Sequence, residues 1–215
     1  MTASQRRWLI LPVGLAGLLA GAWLGWRVLA PAVFEPAPTS LAAGTLLPQR
    51  RMLAPFTLTD TTGAPFTEAS LQGRWTLLGF GYTSCPDVCP LLLASFRDIR
   101  RRLAERQLDG DLRFMFVSVD PERDDIGRLK DYVGYFDPGF VGATGPHPEL
   151  QRLTRQLGVI YQRAPEAGSA LGYLVDHTAT LLLIDPEGRL TALFSAPHDA
   201  AAMATDIGGL LAGRR

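Results

Sequence analysis

The stretch of residues 75–119 constrains the fold of this chain more than any other part of the sequence. An apolar run at 75–82 predicts a buried strand, and a second apolar run at 112–119 predicts another. Between the two runs, apolar residues recur at helical spacing, namely Leu92, Phe96, Ile99 and Leu103. A strand, a helix and a strand of these lengths predict a parallel pair of strands joined by a right-handed crossover.

The pattern beyond residue 119 predicts more helices and a β-hairpin. A helix capped by Asp124 is expected next, with apolar residues at Ile126, Leu129, Val133 and Phe136, followed by a shorter helix with Leu150, Leu153 and Leu157. Strands at 181–184 and 190–194 flank a turn at 185–188 and predict a hairpin, and a final helix is expected over about 199–212. This order is that of a thioredoxin-like α/β domain with insertions between its halves.

The only two cysteines, Cys85 and Cys89, stand where the first strand meets the first helix, in the sequence GYTSCPDVCP at 81–90. Their spacing lets the sulfurs approach closely enough to share a soft metal ion or to form a disulfide. The N-terminus of a helix also favours the thiolate form of a cysteine. An inert structural disulfide is the alternative. Because a bridge across so short a loop removes little entropy from the unfolded chain, we favour a reactive or metal-binding pair.

Three histidines are candidates for a third member of this site. His147 lies between two prolines in a predicted turn, and His198 lies at the start of the last helix, so both are interpreted as surface or capping residues. His177 lies directly before the first hairpin strand, in a segment that returns to the cysteine loop in a thioredoxin-like fold. Spacing alone leaves open whether His177 is a ligand or a structural residue.

The N-terminal segment predicts a membrane anchor. Residues 8–26 carry no charge, and nineteen residues at helical rise span about 28 Å, close to the hydrocarbon thickness of a bilayer. Arg6 and Arg7 precede the run, so the positive-inside rule places the N-terminus in the cytoplasm. A cleaved signal peptide is the alternative. The predicted organisation is an anchor at 1–29, a proline-rich tether at 30–49 and one domain at 50–213.

The charge pattern excludes one large class of partner. The chain has 21 basic and 21 acidic residues, and its longest run of arginines is the one at 100–102. A run of this kind on a helix is typical of a solvated face, so nothing predicts binding to nucleic acid.

Four short segments together resemble the Sco/SenC family. They are YTSCPDVCP at 82–90, VSVDPERD at 117–124, VDHT at 175–178 and IDPEG at 184–188. Members of that family are membrane-anchored, thioredoxin-like copper proteins needed to assemble the binuclear copper centre of cytochrome c oxidase. The resemblance extends from about residue 53 to residue 194, with the motifs in the family's order.

The resemblance implies a ligand set and a setting. Cys85 and Cys89 match the two thiolate ligands and His177 matches the imidazole ligand, for one copper ion per monomer as Cu(I) or Cu(II). Asp120 matches a motif position too, but we interpret it as part of a turn that ends a strand. Residues 166–171 are less acidic than comparable loops of the family, which predicts a different surface for a partner.

The implied partners are the copper-centre subunit of the oxidase and a periplasmic copper donor or thioredoxin-like reductase. The implied location is the outer side of a bacterial-type cytoplasmic membrane, with a single membrane-spanning segment.

Two functions of different classes fit the cysteine pair. The first is a copper metallochaperone with no chemical turnover, and the second is a thiol–disulfide oxidoreductase that keeps the oxidase's copper-ligand cysteines reduced. His177 separates them, because a dithiol reductant has no need of an imidazole at that position. A peroxidase and a redox or copper sensor are weaker alternatives.

Overall fold

An eight-stranded mixed sheet forms the centre of the domain. The computed structural model describes residues 40–165 and 172–213. The strand order is β1-β10-β9-β4-β5-β6-β2-β3. These strands are β1 (Thr45–Met52), β2 (Thr57–Asp60), β3 (Pro65–Thr67), β4 (Trp75–Gly81), β5 (Leu112–Ser118), β6 (Val141–Thr144), β9 (Leu181–Ile184) and β10 (Arg189–Phe194).

The middle of the sheet is the predicted strand–helix–strand unit. β4 and β5 pair in parallel, with Trp75 opposite Leu112 and Gly81 opposite Ser118. Every residue of β4 is buried, which explains why it reads as a continuous apolar run. The predicted hairpin is also present, since β9 and β10 pair antiparallel and β9 lies beside β4.

Four α-helices of the described part of the chain accompany the sheet, namely α1 (Val88–Ala104), α2 (Ile126–Phe136), α3 (His147–Leu157) and α4 (Ala200–Ala212). Phe96 of α1 packs against Phe114 of β5 at a ring distance of 5.4 Å, and Tyr132 of α2 packs against Phe116 at 5.9 Å. Residues 114 and 116 point to the same side of a strand. Helices α1 and α2 therefore cover the same face of the sheet, as the apolar stripe of α1 predicts.

A separate two-stranded sheet carries the candidate histidine. β7 (Tyr161–Pro165) and β8 (Tyr173–His177) pair antiparallel, with Tyr161 opposite His177. The sequence analysis did not predict this hairpin, nor strands β1, β2, β3 and β6. These strands are short or partly exposed, and long-range pairing rather than a local pattern defines them.

Two sequence expectations need correction. Asp125, not Asp124, caps α2, because its side chain accepts a hydrogen bond from the backbone N–H of Arg128. Asp124 is instead fully buried. The last residues of the predicted tether, from Thr45 onward, belong to β1 and pair with β10. Proline and small residues before them hid the start of this edge strand.

The predicted membrane span at residues 8–26 lies outside the described residues. Among the residues that are described, no helix combines the length and the apolar character needed to cross a bilayer.

Candidate metal centre

The two cysteines lie at the carboxyl end of β4. Cys85 is in the loop between β4 and α1, and Cys89 is in the first turn of α1. Cys85 is 8% exposed and Cys89 is fully buried. Neither forms a disulfide in this structure. The carboxyl end of a central strand is where open α/β sheets place their functional sites.

His177 closes the group from the other side. It is the last residue of β8, and its Nε2 atom lies 3.2 Å from Sγ of Cys89. One ligand atom from each of Cys85, Cys89 and His177 lies within 4.8 Å of the other two. The Nδ1 atom of His177 lies 3.3 Å from the carbonyl oxygen of Thr178. That contact orients the ring so that Nε2 faces the sulfurs.

The other two histidines lie apart from this group. His147 begins α3 and contacts the hydroxyl of Tyr161 and the carboxylate of Glu122. His198 precedes α4, and burial lowers its pKa. Within residues 40–165 and 172–213, the cysteine–histidine group is the one place where three potential metal ligands converge. The structure thus brings His177 to the cysteines and leaves His147 and His198 elsewhere.

The two sulfurs have opposite electrostatic environments. A hydrogen bond from the Cys89 thiol, helped by one from His177, lowers the pKa of Cys85 to about 3 although burial opposes the shift. The same bond to Cys85, together with burial, raises the pKa of Cys89. At neutral pH the metal-free pair therefore holds one thiolate, at Cys85, and one thiol, at Cys89.

Gly81 lets the second sulfur lie against the sheet. A Cβ atom at this position would lie 2.5 Å from Sγ of Cys89 and 2.7 Å from the ring of Phe116. Any side chain here would displace one of them. No role was predicted for Gly81 from the sequence, although a glycine inside a buried strand is a known sign of close approach by another group.

Asp124 holds the loop that leads to Cys85. Its carboxylate accepts hydrogen bonds from the backbone N–H of Thr83 at 2.8 Å, the Thr83 hydroxyl at 2.6 Å and the Ser118 hydroxyl at 2.5 Å. Arg128 donates to the side-chain oxygens of Thr83 and Ser84. Sequence reasoning took Asp124 for a helix cap. Its position at the end of the VSVDPERD segment was the available signal.

Comparisons with known proteins match most of the described domain. The SCO1/SenC family profile matches residues 45–212. A putative copper-binding protein of Stutzerimonas stutzeri is 37% identical over 152 residues, which are 71% of this chain and 73% of that protein. The mitochondrial SCO1 homolog 1 of Arabidopsis thaliana is 37% identical over 145 residues, which are 67% of this chain and 42% of that protein.

Among solved structures, Arabidopsis thaliana ScoI with copper bound has a TM-score of 0.69 and 33% identity to this chain. The match covers 75% of this chain and 98% of that one. The thioredoxin-like architecture predicted from the sequence is therefore also the architecture of a solved relative.

Proposed function

Because the chain belongs to the SCO1/SenC family, we propose that it binds one copper ion through Cys85, Cys89 and His177 and delivers that ion to the binuclear copper centre of cytochrome c oxidase. The convergence of the three ligand atoms within 4.8 Å carries this proposal. A relative of known structure, Arabidopsis thaliana ScoI, holds copper, which supports the choice of metal.

The donor set suits copper in both oxidation states. Two thiolates are soft ligands that favour Cu(I), and an imidazole is a good ligand for Cu(II). Cys89 is buried at the base of the site, whereas His177 is half-buried at its rim. Three ligands leave a coordination position that a thiolate or imidazole of an acceptor protein can occupy. This arrangement favours transfer of the ion over its storage.

Metal binding by this site depends on the redox state of the cysteines. Copper needs both sulfurs as free thiolates, and the proton on Cys89 must leave when the metal binds. Oxidation to a Cys85–Cys89 disulfide would remove both ligands. Copper loading is therefore coupled to a reductant that keeps the pair in its dithiol form.

Thiol–disulfide exchange is the second candidate function, and two free cysteines whose sulfurs lie within 4.8 Å of each other favour it. The Cys85 thiolate would attack a disulfide of the acceptor protein, form a mixed disulfide and release one acceptor thiolate. Cys89 would then lose its proton and attack Cys85, which releases the second acceptor thiolate and leaves the Cys85–Cys89 disulfide. Two electrons pass to the acceptor.

We further propose that residues 8–26 anchor the protein in the cytoplasmic membrane and place the domain on its outer side. The support is the uncharged length of that segment and the arginines that precede it.

Copper stoichiometry of the purified, reduced protein under anaerobic conditions tests the ligand set. We expect one Cu(I) per chain in wild type, and loss of tight binding in Cys85→Ser and Cys89→Ser because a hydroxyl does not replace a thiolate. His177→Ala should weaken binding and remove the thiolate-to-Cu(II) absorption pattern of a mixed sulfur–nitrogen site. His147→Ala and His198→Ala are the matched controls. Equal effects from all three histidine variants would refute the ligand assignment.

Complementation of a deletion strain separates the two candidate functions. For a chaperone, loss of oxidase activity should be partly rescued by added copper, and His177→Ala should fail to complement at low copper. For a reductase, added reductant should rescue instead. If His177→Ala complements fully while Cys85→Ser is inactive, metal delivery is refuted and thiol–disulfide exchange becomes the proposed function.

A further inference from the structure

The three proposed ligands come from two elements that need a common support. Cys85 and Cys89 belong to the β4–α1 segment of the main sheet, whereas His177 ends the separate sheet of β7 and β8. No strand pairing joins the two sheets among the described residues. The distance between the sulfurs and the imidazole therefore depends on the short link from His177 to β9, which pairs with β4, and on side-chain contacts.

The loop between β5 and α2, residues 119–125, touches both elements. On the cysteine side, the buried Asp124 carboxylate receives three hydrogen bonds, two of them from Thr83. Thr83 lies two residues before Cys85. Hydrogen bonds to a buried charged group are stronger than neutral ones, so this contact holds the cysteine loop tightly.

On the histidine side, the same loop holds the start of β8. The Tyr173 hydroxyl donates to the Asp120 carboxylate at 2.9 Å, and Arg123 donates to the Tyr173 carbonyl oxygen at 3.2 Å. The Arg123 guanidinium lies over the Tyr173 ring at 4.0 Å and forms an ion pair with Asp120. Both charged side chains are buried, with exposed fractions of 6% for Arg123 and 0% for Asp120. A buried pair of this kind keeps its geometry because a broken pair would leave an uncompensated charge.

Arg123 also contacts Tyr82, which lies between the cysteine loop and the β7–β8 sheet. Its guanidinium lies 5.1 Å from the ring centre of Tyr82, the residue that follows β4. The Tyr82 ring meets the His177 ring edge-on, with centres 6.1 Å apart. The cation therefore contacts both the cysteine loop and the hairpin, and an aromatic ring transmits its position to the imidazole.

We propose that the β5–α2 loop is the element that sets the spacing of the copper ligands, with Asp124 as the positioning residue for the cysteines and the Asp120–Arg123 pair as the positioning residues for His177. This inference rests on the proposed copper site. Its consequence is that the two functions of the loop are separable. Changes at Asp124 act on the thiolates, which both copper ions share, whereas changes at Asp120 act on the imidazole and therefore weaken Cu(II) more than Cu(I).

Asp124→Asn and Asp120→Asn in the purified full-length protein test this, with Asp185→Asn as the matched control. Asp185 is also fully buried and accepts bonds from Arg189 and Thr191, but it follows β9 beside the amino end of β4, away from the site. Loss of a residue that orients metal ligands typically lowers affinity about 10–100-fold. We expect that loss for both Cu(I) and Cu(II) in Asp124→Asn, but mainly for Cu(II) in Asp120→Asn, the latter with a weakened thiolate-to-Cu(II) absorption. Competition with a chromophoric Cu(I) chelator and Cu(II) titration provide the two affinities.

Hydrogen exchange of the metal-free protein gives a readout that does not depend on copper. Asp124→Asn should speed amide exchange in residues 82–87, and Asp120→Asn should speed it in residues 173–178. Asp185→Asn should change neither. If either substitution prevents folding, Thr83→Val replaces Asp124→Asn and Tyr173→Phe replaces Asp120→Asn. Each removes one hydroxyl that bonds to the carboxylate, so the same changes are expected with smaller magnitude.

The outcomes distinguish this proposal from the function it rests on. Suppose wild type binds copper through the two cysteines and His177, but Asp124→Asn and Asp120→Asn behave as Asp185→Asn does. The spacing role of the loop is then refuted, and the copper function stands. If wild type does not bind copper while exchange changes as expected, the loop still positions the two elements and the copper function fails. Equal exchange changes in both segments from either substitution would refute the separate roles.

Discussion

Cys85 and Cys89 differ by one proton although they share one site. The sulfur of Cys89 lies against Gly81 of β4. Its thiol donates a hydrogen bond to Cys85, and this bond lowers the pKa of Cys85. The N-terminus of α1 adds a favourable field for negative charge at this end of the helix. The metal-free site is thus prepared for an incoming cation before that cation arrives.

This asymmetry predicts the pH dependence of the reduced, metal-free protein. One thiolate per chain should be visible by ultraviolet absorption at neutral pH and should disappear only as the pH approaches about 3. Since an unfolded cysteine has a pKa of about 8.5, ionised Cys85 stabilises the fold above that value, and this stability is lost as the pH falls towards the folded pKa. Cys89→Ala should move the titration upward, because the bond donated by Cys89 is the main cause of the shift and alanine has no donor to replace it. A thiolate signal that titrates at the ordinary cysteine value in wild type would contradict this assignment.

The packing of helix α1 against the sheet depends on glycines in β4. A Cβ atom at Gly79 would lie 2.9 Å from a methyl carbon of Leu92 in α1, and one at Gly81 would meet Sγ of Cys89. The first turns of α1 therefore rest directly on the strand backbone. The depth of Cys89, one of the proposed copper ligands, depends on this packing between strand and helix.

Gly81→Ala should disturb both stability and metal binding. Forcing a methyl group into a packed core costs about 1–3 kcal/mol, and relief by moving Cys89 would misplace a ligand. Gly134→Ala is the control, because a Cβ atom there meets nothing within 4 Å and α2 should gain up to about 1 kcal/mol of helix propensity. Chemical denaturation and Cu(I) competition measure the two effects. Unchanged stability and copper affinity in Gly81→Ala would show that the strand and helix have more room than the distances indicate.

For the whole molecule, the residues just before and within β1 are part of the domain. β1 pairs with β10 and covers that edge of the sheet. The backbone N–H groups of Ala42 and Ala43 donate to the two carboxylate oxygens of the buried Asp206 on α4, at 2.9 and 2.7 Å. This segment therefore joins the sheet edge to the last helix.

Truncation tests that boundary. A chain that starts at Ser40 should unfold cooperatively and bind copper as the full chain does. A chain that starts at Leu53 loses both hydrogen bonds to Asp206, worth about 1.5–3 kcal/mol each for a charged group, and its melting temperature should fall by roughly 6–24 °C. Thermal unfolding followed by circular dichroism measures the difference. Equal melting temperatures for the two truncated chains would place the domain boundary after β1.

Local sequence patterns were enough to predict the strands at the centre of the sheet, the helix stripes, the β9–β10 hairpin and the position of the cysteine pair. These features depend on local periodicity and on residues adjacent in the chain, which a reader of the sequence can see directly. The four motifs added the candidate ligand set by resemblance to a family. The prediction that Asp124 caps a helix was wrong. In a sequence, an aspartate just before a helix looks the same whether its side chain bonds to the next residues or to a distant loop.

The contact of His177 with the cysteines, and the contacts of residues 119–125 with both elements of the site, become visible only in the folded chain. His177 and Cys89 are 88 positions apart, and the contact between them depends on how β8 packs beside the end of β4. Asp124 and Thr83 are 41 positions apart and meet because β4 and β5 run in parallel and end at the same edge of the sheet. A sequence pattern reports on residues that are close together along the chain. The geometry of the proposed ligands depends instead on hydrogen bonds and packing between segments that become neighbours only when the chain folds.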